Sequence, residues 1–176
     1  MKKSVTISLI VIFLGIAGYF YFFSQRTELK EAFCNAEMFS RRPDLYNDAL
    51  ADTVGLTEEE KEEYLTVYKE ELSKYYAADS WATSVFPNGI EGKLDYLTTA
   101  TEDPDDEYIT GIAECKFYIM YWDEMDQVIV KAKINFFSKS GESISNDPIT
   151  IKACMVKEDG VWKVLEHLEY QIKNPL

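Results

Sequence analysis

The feature that most limits what this chain can fold into is an uncharged run near its start, from Val5 to Phe23. As a helix rising about 1.5 Å per residue, it reaches about 28 Å, close to the thickness of a bilayer's hydrocarbon core. Such a run is either a span that stays in the membrane or the core of a cleavable leader. A leader needs small residues just before the cut, after a short apolar stretch. Here the run ends in Tyr19, Phe20, Tyr21, Phe22 and Phe23, and Gly15-Ile16-Ala17-Gly18 is the one weak match. Aromatic rings favour the membrane–water interface, and Lys2 and Lys3, ahead of the run, favour the cytoplasmic side. The expectation is a single-pass cell-membrane protein: residues 1–24 form an anchor through residues 5–23 with a cytoplasmic N-terminus, and residues 25–176 form an extracytoplasmic domain.

That remainder is long enough to bury one core. Its charge is lopsided. The chain carries 18 Lys and Arg against 31 Asp and Glu, a net −13, and two of the basic residues precede the run. A domain this acidic is repelled by nucleic acid and by anionic headgroups, so no nucleic-acid partner is expected. A basic partner or a cation suits it better.

Helical signals come first. Leu29, Phe33, Ala36 and Phe39 fall near one face of a helix from Glu28 to about Phe39. Pro43 interrupts it, and Leu45–Leu50 offers a continuation. Thr57 and Glu60 make a capping box. The helix that follows carries Tyr64, Tyr68, Leu72 and Tyr75 at steps of three and four, and its acidic first turns suit the helix dipole. Phe86-Pro87-Asn88-Gly89 reads as a turn. Five candidate strands follow: Lys93–Thr99, Glu107–Trp122, Gln127–Ser138, Pro148–Lys157 and Val161–Lys173. Asp159-Gly160 is the sharpest hairpin signal between them. Helices first and strands after imply an α+β fold: an N-terminal transmembrane helix, then two or more helices packed on one face of an antiparallel meander of four to five strands.

Alternation assigns two sheet faces. The helix-packed face takes Ala113, Cys115, Phe117, Ile119 and Tyr121; Val128, Val130, Ala132, Ile134 and Phe136; Ile149, Ile151, Ala153 and Met155; and Trp162, Val164, Leu168, Tyr170 and Ile172. The other face mixes Tyr118, Met120, Trp122 and Leu165 with Lys116, Lys131, Lys133, Lys152 and Lys163, and also takes Cys154 and His167. Aromatic and Met residues ringed by charge are the usual make-up of a protein interface. These nine apolar and lysine positions are the expected partner-binding set. The competing readings are that a segment such as Ser80–Gly92 covers this face, that its apolar residues are scattered surface exposure without a partner, or that the acidic helices receive the partner.

Little else carries chemistry. One histidine, His167, excludes a multi-His metal site, and Cys34, Cys115 and Cys154 lack any CxxC spacing. The cysteines read as three thiols acting as small apolar residues, with one bridge at most. A Cys154–His167 nucleophile pair has no local context to mark it. Asp103, Asp105, Asp106 and Glu107 lack the spacing of a calcium loop and read as a solvated turn. There is no phosphate-binding glycine loop. No enzyme, cofactor or metal is therefore expected.

The last strand pair, with Asp159-Gly160-Val161-Trp162-Lys163-Val164, resembles the final hairpin of NTF2-like or cystatin-like domains, which implies a fold rather than an activity. The anchored, acidic, helix-then-sheet layout resembles the TipC family, immunity proteins of Gram-positive bacteria held outside the membrane to neutralise a toxin exported by a type VII system. That resemblance implies a protein partner, a secreted toxin. The alternative is an assembly subunit of a secretion or conjugation channel, resembling VirB8-like NTF2 domains; an envelope enzyme ranks third.

Overall fold

The computed structural model describes residues 2–41, 57–97, 109–124, 126–138, 141 and 148–171. Among these residues it is α+β, with three helices followed by a four-stranded antiparallel sheet in the order β1-β2-β3-β4. The helices are α1 (Lys2–Arg41), α2 (Glu58–Leu72) and α3 (Ala82–Leu97). The strands are β1 (Ile109–Glu124), β2 (Gln127–Ser138), β3 (Ile149–Glu158) and β4 (Val161–Gln171).

α1 is one unbroken helix of 40 residues, about 60 Å long at the usual rise. The expected division between residues 24 and 25 falls inside it. Burial along it is sharply divided. Ile12 to Ser24 is exposed on every side; from Gln25 onward a stripe of Gln25, Leu29, Phe33, Ala36, Glu37 and Phe39 is buried. Among the described residues no helix is long and apolar enough to cross a membrane. The expected span begins at Val5, and side chains are described only from Ile12 onward.

α2 starts where its cap chemistry dictates. The Glu60 backbone N–H donates to Thr57 Oγ1 at 3.3 Å, and the Thr57 N–H donates to Glu60 Oε2 at 2.7 Å. This closes the box from both sides. Tyr68 and Leu72 are its buried face. Residues 75–77 then run beside β4: the Ala77 N–H donates to the Val164 carbonyl at 3.0 Å, and the Val164 N–H donates to the Tyr75 carbonyl at 2.9 Å. This bridge pairs the β4 edge at Val164, where its backbone groups would otherwise lie open.

The expected turn at Phe86–Gly89 and strand at Lys93–Thr99 are corrected. Pro87 lies inside α3, which continues to Leu97. Pro87 removes one helical hydrogen bond, but it is buried, Ala82 and Ile90 sit in the main core, and Phe86 packs edge-on against Tyr76. Tertiary burial overrides the local turn signal. The segment therefore joins the helical layer rather than lying across the open sheet face. Leu45–Leu50 and Asp103–Glu107 lie outside the described residues.

The core sits between the helices and one face of the sheet. Phe33 of α1 meets Phe117 of β1 at 5.8 Å between ring centroids, and Phe39 meets Tyr68 and Tyr75 at 5.4 and 5.1 Å. The hairpin between β3 and β4 turns at Asp159 and Gly160, both with positive φ (51° and 81°). That is the conformation an Asp-Gly pair accepts most easily between twisted strands.

Candidate functional site

Register fixes what the open face displays. β2 pairs without a break against β3, so Val128, Val130, Ala132, Ile134 and Phe136 all point into the core, and Lys131 and Lys133 point away. Following the pairing across all four strands gives rows. One row runs Tyr118, Lys131, Lys152, Glu169; its neighbour runs Lys116, Lys133, Thr150, Gln171. On the other side of the first lies Tyr121, Ile129, Cys154, Glu166. The structure thus brings Lys116, Tyr118, Lys131, Lys133 and Lys152 together in one patch. Tyr118, Met120 and Tyr121 are each about half exposed beside it. Ile129 and Cys154 are buried although they belong to this face.

Two of these cross-strand pairs are lysine against lysine, Lys116 with Lys133 and Lys131 with Lys152. Like charges directly opposite one another destabilise a sheet. Lys116 has an ion-pair partner in Glu114 at 3.2 Å. Among the described residues Lys131, Lys133 and Lys152 have none within ion-pair distance. Within the described residues, a chain of net −13 therefore gathers positive charge on the sheet face turned away from the helices. Lys163 shares the face in the row of Gln127 and Val156 but pairs with Glu158 at 3.3 Å.

Three assignments on β1 and three on β4 require correction, and bulges are the reason. A bulge places two residues opposite one and reverses the parity of everything beyond it. In β1 the register shifts between Ile119 and Tyr121. Trp122 consequently pairs with buried Val128 and stacks edge-on against Trp162 at 5.7 Å, on the helix side. Tyr121, expected there, joins the open face. A second shift between Ile112 and Glu114 turns Ile112 inward and leaves Ala113 exposed. In β4 the shifts between Glu169 and His167 and between Glu166 and Val164 leave Leu168 exposed and make Leu165 a half-buried bulge residue off the rows. They also turn His167 inward.

His167 therefore takes part in a site that alternation alone did not reveal. Its Nε2 lies 2.6 Å from Oε1 of Glu37, whose side chain is fully buried on α1, and Arg41 one turn on bonds the other Glu37 oxygen. Burial by itself would push the Glu37 carboxyl up. The His167 hydrogen bond and the charges of Arg41 and His167 outweigh it and hold the carboxyl below its ordinary range. The residues are 130 positions apart, and the one signal available was an acid on the stripe of Phe33 and Ala36. This arrangement ties α1 to β4. It also separates His167 from Cys154, which faces the other way and accepts a hydrogen bond from Gln127 Nε2 at 3.0 Å. The Cys154–His167 nucleophile pair is not assembled.

All three cysteines are free. Cys34 and Cys115 are half-buried, and their sulfurs stand 3.3 Å apart between α1 and β1. Beside them, a cleft of about 430 Å³ runs along α1 past Phe23, Arg26, Lys30 and Cys34. A second, of about 300 Å³, lies between Glu28, Tyr75 and Trp162. Among the described residues no cluster of His, Cys, Asp or Glu could hold a metal ion. No protein family, curated protein or solved structure matches the chain.

Proposed function

We propose that this chain is a membrane-anchored extracytoplasmic domain that binds another protein through its open sheet face, and that it serves as an immunity protein neutralising a secreted antibacterial toxin. The observation that carries the binding face is the clustering of Lys131, Lys133 and Lys152, without an ion-pair partner among the described residues, beside exposed Tyr118, Met120 and Tyr121. Opposed lysines cost a sheet stability, and a partner presenting carboxylates to them regains it. The aromatic and Met residues supply apolar contact at the same place. The acidic helices make the rest of the surface repel such a partner, so its docking is restricted to this face.

The anchor reading is supported by the exposed end of α1. Ile12, Phe13, Leu14 and Ile16 and the aromatic run Tyr19–Phe23 are all at least half exposed, and contiguous apolar surface on that scale favours a membrane or partner. The uncharged run beginning at Val5 and the preceding Lys2 and Lys3 set its direction.

Growth under attack tests the function. Cells producing the full chain should survive a secreted antibacterial toxin that kills cells lacking it. Lys131→Glu with Lys133→Glu should abolish protection while the domain stays folded. Unchanged protection by that variant, with loss in a Glu62→Lys, Glu63→Lys variant, would move the site to the acidic helices. Stable self-assembly without toxin binding would favour the channel-subunit alternative.

A further inference from the structure

We propose that Cys34 and Cys115 are a dithiol that closes to a disulfide, covalently clamping α1 to β1. The inference is independent of the membrane and partner reading. It rests on where the fold puts two sulfurs. Cys34 follows directly on Phe33, whose ring packs against Phe117 of β1, and Cys115 lies two residues before Phe117 on the same side of that strand. Arg26 on α1 donates to the Phe117 carbonyl at 3.1 Å. These contacts, both at Phe117, hold the helix against the strand beside the sulfurs, which approach to 3.3 Å. A disulfide needs them only about 1.3 Å closer.

The pair is also asymmetric in the way exchange requires. Cys34 donates its S–H to Cys115. That hydrogen bond, followed by the effect of the Lys30 ammonium, lowers the Cys115 thiol despite burial. The same bond, with burial, pushes Cys34 up. Cys115 is therefore the thiol that ionises first and attacks, since the thiolate is the nucleophile. Its sulfur displaces one thiolate from a small external disulfide and leaves a mixed disulfide on Cys115. Cys34 then loses its proton and attacks Cys115 Sγ, and the second small thiolate departs. In sum, one external disulfide is reduced to two thiols, and the protein gives up two electrons and two protons. Cys154, buried on the opposite face and bonded to Gln127, takes no part.

The bond would close a loop between positions 81 residues apart. It would hold the helix that carries the exposed apolar run against the sheet even when the core loosens. Loops of this length gain most from a cross-link.

Oxidised glutathione is the probe, added to the purified full chain in detergent. After denaturation and alkylation, the expected outcome is one reactive thiol, at Cys154, with a Cys34–Cys115 cross-linked peptide. Dithiothreitol should restore three thiols. The melting temperature should rise by roughly 5 °C or more on oxidation and return on reduction. In Cys34→Ser the expected product is a stable glutathione adduct on Cys115, because the resolving thiol is gone. If that variant does not fold, Cys154→Ser should still close the bridge and leave no reactive thiol. Three thiols persisting in the folded protein, or a bridge involving Cys154, would overturn the proposal. So would an unresolved glutathione adduct in the unmutated chain.

Discussion

α1 is one helix with two unlike surfaces. From Ile12 to Ser24 it is apolar and aromatic on every side and exposed on every side. From Gln25 to Arg41 its apolar residues fall into a stripe, and that stripe is buried against the sheet and α2. A helix apolar all round is at home only where its surroundings are apolar all round; one with a single apolar stripe belongs at the surface of a water-soluble core. No break in the backbone marks the change. Side-chain pattern alone divides the tasks, and a mutation's effect depends on which side of Gln25 it falls.

The largest contrast is expected between phenylalanines. Phe33→Ala removes a fully buried ring that packs on Phe117 and should cost roughly 3–5 kcal/mol of domain stability in urea unfolding. Phe22→Ala, in the exposed half, should change that stability by no more than about 0.5 kcal/mol. Equal effects would show that the exposed half also packs on the domain.

Glu37 marks the junction between the buried stripe and β4. Glu37→Gln keeps the shape but loses the charge that His167 and Arg41 complement, and should cost about 2–3 kcal/mol at neutral pH. The sign with pH follows from its lowered carboxyl. The folded state binds this proton less readily than the unfolded state. The contribution is therefore complete above the ordinary value of 4.5 and is lost as pH falls through the lower folded value. Stability of the unmutated chain should drop more steeply below pH 4.5 than that of Glu37→Gln. Parallel profiles would mean that the ion pairing contributes nothing net.

Trp122→Ala gives a smaller effect and sharpens the sheet-face account. Trp122 stacks on Trp162 on the helix side, so its loss should cost stability, about 1 kcal/mol, and leave partner binding unchanged. Tyr118→Ala should do the reverse.

What could be read in advance follows from where the local signal equals the tertiary outcome. β2 alternates without interruption, and every core position on it follows from the sequence. The same holds for the Thr57–Glu60 cap and the Asp159–Gly160 turn, which close on contacts within a few residues. β1 and β4 alternate just as plainly, yet each contains bulges that leave no mark in residue type, so parity past Ile119 and past Val164 reverses. That shift moved Trp122, Leu165 and His167 off the expected face and Tyr121 onto it. The lysine patch survived because Lys131, Lys133 and Lys152 sit on the two central strands, within the regular stretch of their pairing. Residues Lys93–Leu97 misled for a different reason: the Pro-Asn-Gly sequence signals a turn, and the burial of Ala82, Pro87 and Ile90 outweighs it. Glu37–His167 and Cys34–Cys115 join positions far apart in sequence, and such pairs are visible only once the register is known.

Protease treatment of intact, wall-stripped cells tests most directly the claim that the two halves of α1 serve two media. The account predicts that residues beyond about 24 are digested while a short N-terminal fragment stays in the membrane pellet through alkaline carbonate washing. A full-length chain that survives protease in intact cells, or one released by carbonate, would contradict it.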